Sequence, residues 1–473
     1  MKLFNHQQLA LNRAREQSLA LFHDCGTGKT LTALNIIKHH KARGRGPALV
    51  VCPLSIIETA WIEDCEKFTP DLDIVSLRTK KPEDRKKVLA EDHDIYVANY
   101  AVFKMLWSQI VLKQFQVIVV DESSKMKDPT SQIARSLLAL AGISSRGRSG
   151  KKYLASLPVP YRYVLSGTPA PNDYGEYWSQ IKFITGAGGD VFNDNFYAFR
   201  NEYFHSIPLG LTGQKMWKFR SNKQQDLIDK MAPVTDVVLK EDALDLPPQT
   251  YQTRIVELSP PERKAYDIME NDYVLQFANE SVLGVNQLVV IMKLRQLTSG
   301  FCYGYLGEHR TGTSKLKELK KVLAELGDHQ VVIWGNFRPE IQALKDEFPG
   351  SSVLWGGISD KDRTEAINNF KDGKSRLLIA NPQSAMHGLT FVNCHYQIYF
   401  SLNYSYESHK QTADRIHRIG QEYECTYISL VARDTIDGII EGRVKNKGKS
   451  SNEVLNYLRK SNGQGRSGTI TAA

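Results

Sequence analysis

The chain has 473 residues, 41% of them hydrophobic and 24% charged, with a formal net charge of +9. That length exceeds one ordinary core and calls for two or three domains, and the composition excludes a disordered chain or a small disulfide-stapled one. The excess of Lys and Arg suits a polyanionic partner, although charge alone fits equally a basic protein that binds no nucleic acid.

MKLFNHQQLALNRA, at the N-terminus, is polar and amphipathic and reads as a helix, not as a secretory signal. DCGTGKT (24–30) follows, and after it LTALNIIKHH, a clear helix. Glycines at a helix start let backbone N–H groups close around phosphate oxygens, where the helix dipole favours anions. In that reading Gly26, Thr27 and Gly28 line the loop, Lys29 reaches the β- and γ-phosphates of ATP, and Thr30 holds Mg²⁺. His23 stands where the full phosphate-loop pattern has its first glycine, so the short motif alone also fits an ordinary helix-start turn.

ALVVCP (48–53), DIYVAN (94–99), VIVVDE (117–122) and YVLSGTP (163–169) read as short buried strands with amphipathic segments between them. Such continuous apolar runs suit a parallel sheet covered on both faces. The third ends in Asp121 and Glu122, at the carboxyl end of a strand, where open α/β sheets bind ligands. Asp121 is expected to coordinate Mg²⁺ through water, and Glu122 to orient and deprotonate the attacking water. A solvated acidic turn is the plainer alternative, weakened by the glycine-lysine-threonine loop upstream. Ser166 and Thr168, after the fourth strand, suit sensing of the phosphate state through the Asp-Glu pair. The stretch 143–160, with Arg146, Arg148, Lys151 and Lys152, reads as a basic surface loop.

Residues 186–312 read as a mainly helical insertion spanning a junction, after which the strand pattern restarts. VVIWGN (331–336), SVLWGG (352–357), RLLIANP (376–382), YQIYFS (396–401) and CTYISLV (425–431) form the second set. The expected frame is therefore α/β, with parallel-sheet domains over 1–185 and 313–445, the insertion between them, and a partly disordered tail over 446–473. QTADRIHRIGQ (411–421) puts Arg415 and Arg418 at i and i+3, on one face if helical. Guanidinium groups fork onto phosphate oxygens, although a solvated basic helix has the same composition. Cys25, Cys52, Cys65, Cys302, Cys394 and Cys425 are scattered without a CxxC pair, which argues against zinc and disulfides and for a reducing compartment. With no apolar run near the roughly 20 residues a membrane helix needs, a cytoplasmic protein is expected.

Taken in order, Gln7, DCGTGKT, DESSKMKD, SGTPAPND and QTADRIHRIGQ resemble the motifs of superfamily-two helicases, specifically the Swi/Snf-like family of double-stranded DNA translocases. The Arg-Ile-Gly-Gln ending is the most diagnostic piece. CPLSIIETAWIEDCEKF (52–68), LKEDALDLPPQT (239–250), KLRQLTSG (293–300) and TSKLKEL (313–319) extend the likeness to roughly residues 3–440. SLNYSYES (401–408) and NPQSAMHGLT (381–390) depart from the eukaryotic pattern and look more like compact phage or bacterial members.

The resemblance implies two RecA-like domains with a cleft for Mg-ATP. Gln7 would read adenine with Phe4 stacking nearby. Lys29, Thr30, Asp121 and Glu122 would form the hydrolytic site, and Arg415 and Arg418 the arginine fingers. It also implies contacts to duplex DNA phosphates from Pro53, Asn99, Gly167 and Thr168, and from Asn336, Gly356, Gly357, Ser384, His387 and Gly388. Such contacts give little sequence preference and a steep salt dependence. Trp334 and Trp355 end strands near that track, with core packing the favoured reading, and His417 reads as a local hydrogen-bonding residue. The expectation is a monomeric ATP-driven DNA translocase. A strand-separating DNA or RNA helicase and an ATP-dependent DNA-binding switch remain the alternatives.

Overall fold

The computed structural model describes residues 3–79, 81–146, 152–153, 157–209, 214–276, 281–283, 286–385 and 389–461. The chain divides into two compact units, residues 1–245 with 447–473, and residues 246–446.

Unit 1 is built on a seven-stranded sheet. Its strands are β1 (Leu19–His23), β2 (Ala48–Cys52), β3 (Ile74–Ser76), β4 (Ile95–Asn99), β5 (Val117–Asp121), β6 (Tyr161–Leu165) and, beyond a hairpin of β7 (Phe204–Leu209) and β8 (Gln214–Phe219), β9 (Thr235–Val238). The order is β9-β1-β6-β5-β2-β4-β3, and every neighbouring pair is parallel. All five residues of β1, β2 and β5 are buried, because apolar clusters cover both faces. On one face pack α1 (Asn5–Ala14) and α2 (Lys29–Lys41), through Ala10, Leu34 and Ile37. On the other lie Phe22, Tyr96, Val120 and Tyr177.

This order has one consequence for chemistry. Strand β6 separates β1 from β5, so the turns leaving β1, β6 and β5 lie side by side at the carboxyl edge. Strand β1 itself was not foreseen: Leu-Ala-Leu favours helix locally, and pairing on both sides with β6 and β9 overrides that preference.

Unit 2 repeats the architecture with β10 (Gln249–Val256), β11 (Val331–Trp334), β12 (Ser352–Leu354), β13 (Leu377–Ala380), β14 (Tyr396–Tyr399) and β15 (Cys425–Ala432). These form a six-stranded all-parallel sheet in the order β10-β15-β14-β11-β13-β12. Trp334 is fully buried in it, its Nε1 donating to Gln397 Oε1 at 3.1 Å.

Residues 186–312 divide between the units. They supply helices such as Phe196–Tyr203, Pro260–Asn271 and Gln287–Thr298, but also β9 and β10, which are edge strands of the two central sheets. Strand β10 is mostly exposed, so it has no apolar run for a sequence reading to find. Among the described residues no helix is long and apolar enough to cross a membrane.

The final helix, Ile436–Ser461, runs on past residue 446, where the sequence suggested a tail. Val454, Leu455 and Leu458 fall on one helical stripe and are buried in the unit 1 core. Residues 462–473 lie outside the described residues. Truncating the fully buried Leu458 to Ala should cost unit 1 about 2–5 kcal/mol in urea unfolding of the full chain. A loss below about 0.5 kcal/mol, as at a surface site, would mean that the helix is not docked.

Candidate functional site

Helix α2 begins at Gly28, whose φ of +80° a side chain rarely tolerates. A Cβ there would also stand 2.3 Å from Gln7 Nε2, so any side chain would displace the end of the Gln7 amide from the loop. Gln7 is buried; its Nε2 lies 3.3 Å from Gly28 O, and its Oε1 accepts from Phe4 N at 2.9 Å. His6 Nε2 lies 2.9 Å from Thr27 O, and the half-exposed Phe4 ring stacks on His6 with centroids 5.9 Å apart.

The loop closes on itself, Thr27 Oγ1 donating to Asp24 O at 2.8 Å. Lys29 Nζ lies across it and donates to His23 O at 2.8 Å and Asp24 O at 3.0 Å, carbonyl oxygens that occupy its donors as phosphate oxygens would. The half-buried Thr30 follows in the first turn. Beneath the loop, Asp236 binds Arg13 Nη1 at 2.8 Å and lies 2.7 Å from His23 Nε2. Burial alone would raise the Asp236 carboxyl, but these two partners hold it below its ordinary value. Asp24 is pinned on the same side, its N–H donating to Val238 O at 2.9 Å and its Oδ2 accepting from Lys240 N at 3.1 Å.

At the end of β5, Asp121 Oδ2 accepts from Trp61 Nε1 at 3.1 Å and Oδ1 from Glu122 N at 2.9 Å. Trp61 is aimed by a π-helical turn, Ile57–Ile62. Burial, and then the charge of Glu122, push the Asp121 carboxyl up to about 6, while Lys29 and the Trp61 N–H pull the other way. Glu122 adopts the left-handed region, φ 54° and ψ 55°, which is strained for a residue with a side chain. Tyr100 Oη holds that bend by donating to Asp121 O at 2.7 Å.

Between these two turns sits the loop after β6. Gly167 approaches so closely that a Cβ would lie 3.3 Å from both the N and the Sγ of Cys25. Thr168 N donates to Ser166 Oγ at 3.1 Å. The link from the acidic strand runs through Gln180: Ser123 Oγ donates to its Oε1, and its Nε2 donates to Pro169 O, each at 2.6 Å. No local motif marks Gln180 or Asp236, and Trp61 is marked only by its place in the 52–68 segment.

The turns suggested for nucleic-acid contact are present at strand ends. Pro53 opens a 3₁₀ turn, and Asn99 Oδ1 caps the helix after β4 by accepting from Ala101 N and Val102 N at 2.9 Å each. In unit 2, Asn336 uses both ends of its side chain internally, Nδ2 on Ser401 O at 2.7 Å and Oδ1 on Asn403 Nδ2 at 2.9 Å. Gly356 and Gly357 are exposed with open space around them, and Ser384 is half-buried in a short helix. Trp355 is partly covered, with the Arg338 guanidinium 4.7 Å from its ring centroid. His387, Gly388, Arg148 and Lys151 lie outside the described residues, as do the side chains of Arg146 and Lys152.

Arg415 and Arg418 do not share a helical face. The helix Tyr406–Ala413 ends before them, its last turn tightening as Arg415 N bonds Thr412 O at 3.1 Å. Both arginines reach one neighbouring segment instead. Arg415 Nη1 donates to Leu389 O at 2.9 Å and Arg418 Nη1 to Thr390 Oγ1 at 2.8 Å. His417 Nε2 lies 2.8 Å from Pro247 O, a local structural bond.

Two parallel-sheet units, a glycine loop carrying a lysine, and an acidic strand end beside it define an ATPase of the helicase class. The comparisons give the family. The SNF2-related domain matches residues 6–300, more than half of the chain, and the helicase conserved C-terminal domain matches residues 314–420. The chain belongs to the SNF2-related family. It is 25% identical over 461 residues to protein p41 of Acyrthosiphon pisum secondary endosymbiont phage 1, covering 92% of this chain and 94% of that protein. It is also 25% identical to the chromodomain-helicase-DNA-binding protein 1-like of Danio rerio, but spans only 43% of that protein's length. Among solved structures, the Sulfolobus solfataricus SWI2/SNF2 ATPase core in complex with dsDNA is similar at 21% identity and a TM-score of 0.44, over 98% of this chain and 97% of that one.

The raised Asp121 carboxyl has a measurable consequence. Its folded value of about 6 exceeds its ordinary 3.8, so the neutral form favours the fold, and this stability is complete below pH 4 and lost as pH rises through 6. In EDTA without nucleotide, Asp121→Asn should therefore gain about 3 kcal/mol on the parent between pH 4 and pH 7. A difference that does not change with pH would mean that the carboxylate is solvated.

Proposed function

We propose that the chain is a duplex-DNA-stimulated ATPase that moves along DNA by its phosphate backbone. The observation that carries this is the placing of Lys29 on its glycine loop, the buried Asp121 and the strained Glu122 at one edge of a parallel sheet, at the turns that flank the β6 loop.

In this reading the backbone of Gly26–Thr30 wraps the β- and γ-phosphates of ATP, and Lys29 exchanges the carbonyls of His23 and Asp24 for phosphate oxygens. Asp121 and Thr30 fit a Mg²⁺ ion, since a buried carboxylate held partly neutral is stabilised by a divalent charge. Two protein oxygens make no metal cage, so an ion held by Asp121 and Thr30 would need nucleotide oxygens as well, and would supply neutralisation of phosphate charge. Glu122 takes the proton from the attacking water, its bend holding the carboxylate at the strand end. Gln7 and Phe4 contact the base. Arg415 and Arg418 are the cations suited to stabilise charge developing at the γ-phosphate.

The partner class rests on the net charge of +9, on family membership, and on the DNA-binding helicase name of the Danio rerio relative. Bound DNA is expected to raise the hydrolysis rate.

The test is the steady-state ATPase rate with no nucleic acid, single-stranded, duplex or forked DNA, and RNA. Duplex DNA should stimulate most, and Glu122→Gln should lower the stimulated rate about 100-fold or more. Stimulation by single strands, forks or RNA alone would replace the proposal with a strand-separating helicase. No stimulation by any of them would refute a nucleic-acid motor.

A further inference from the structure

Unit 1 carries an element that the ATP chemistry does not use. Strands β7 and β8 form an antiparallel ribbon, registered from Phe204↔Phe219 to Leu209↔Gln214. A lone two-stranded ribbon is marginal in water, so its base has to be held. Phe219 packs edge-on against Tyr174 at 4.2 Å, Arg220 N donates to Tyr203 O at 2.8 Å, and the Arg200 guanidinium lies 3.9 Å from the Trp217 ring centroid. Tyr174 belongs to the turn that follows the Ser166–Thr168 loop in the chain.

The ribbon is cationic on both faces. Lys215 and Lys218 are exposed, and their odd spacing sends them to opposite faces. Neither has an ion pair among the described residues. Met216, 49% exposed, lies across from Ile207 on the Lys218 side. No acidic residue occurs between Glu202 and Asp226, while Lys215, Lys218, Arg220 and Lys223 all do. A flat acidic protein surface would satisfy one face of such a ribbon. A groove walled by phosphates on both sides satisfies both, and the major groove, about 12 Å wide, admits a two-stranded ribbon.

We propose that this ribbon is an additional duplex-DNA-binding element, seated in a groove with Lys215 and Lys218 facing opposite phosphate strands. The proposal rests on the DNA reading above. It adds sequence-independent affinity, since phosphate contacts carry no base information.

The test measures duplex-DNA affinity of the full chain, without nucleotide, as a function of salt. For Lys215→Ala/Lys218→Ala the slope of log affinity against log salt should become shallower by about 2, and the Lys→Arg pair should restore it. The ATPase rate without DNA should not change. An unaltered slope and affinity in the alanine variant would overturn the ribbon's role, as would a parent chain that does not bind duplex. A slope that falls by about 2 while duplex fails to stimulate the parent ATPase would keep the ribbon and refute the motor.

Discussion

Asp121 closes a strand whose five residues are all buried, and taking its charge out of water costs energy that only N–H donors or positive charge can return. The surrounding groups answer that cost in part. Trp61 and the Glu122 backbone donate to it and Lys29 lies near enough to favour its charged form, yet the carboxyl still stands well above its ordinary value. The incomplete compensation is what supports the proposed role of this strand end in holding a cation that arrives with a ligand.

Around that point, topology does the positioning. Because β6 lies between β1 and β5, the phosphate loop, the Ser166–Thr168 loop and the acidic turn are neighbours although far apart in sequence. The close approach of Gly167 to Cys25 and the Ser123–Gln180–Pro169 path fasten the three to one another. The loop is also held from below by Arg13, His23 and Asp236, and at Asp24 by the backbone of Lys240. The glycine loop therefore has a bonded route to the segment that follows β9.

What the sequence disclosed followed from contiguity. The apolar runs ending in Asp121, Leu165, Trp334 and Tyr399 read directly as buried parallel strands, and the loop and acid motifs are short and local. Trp61, Gln180 and Asp236 escaped because their partners lie 60, 57 and 213 residues away, and no local pattern records such a bond. Strand β1 was hidden by helix-favouring residues and β10 by its exposed edge position. The spacing of Arg415 and Arg418 suggested a helical face, but the helix stops at Ala413 and both side chains turn to the 389–390 segment. In Ile436–Ser461, three apolar residues among polar ones were enough to dock a stretch that reads as a tail.

Hydrolysis at this site is proposed to drive movement along duplex DNA. Displacement of a triplex-forming third strand, followed with ATP in the parent chain and in Glu122→Gln, tests it most directly. The account predicts ATP-dependent stripping of the third strand by the parent and none by the variant. Duplex-stimulated hydrolysis that leaves the third strand in place would contradict it and describe a DNA-bound switch instead.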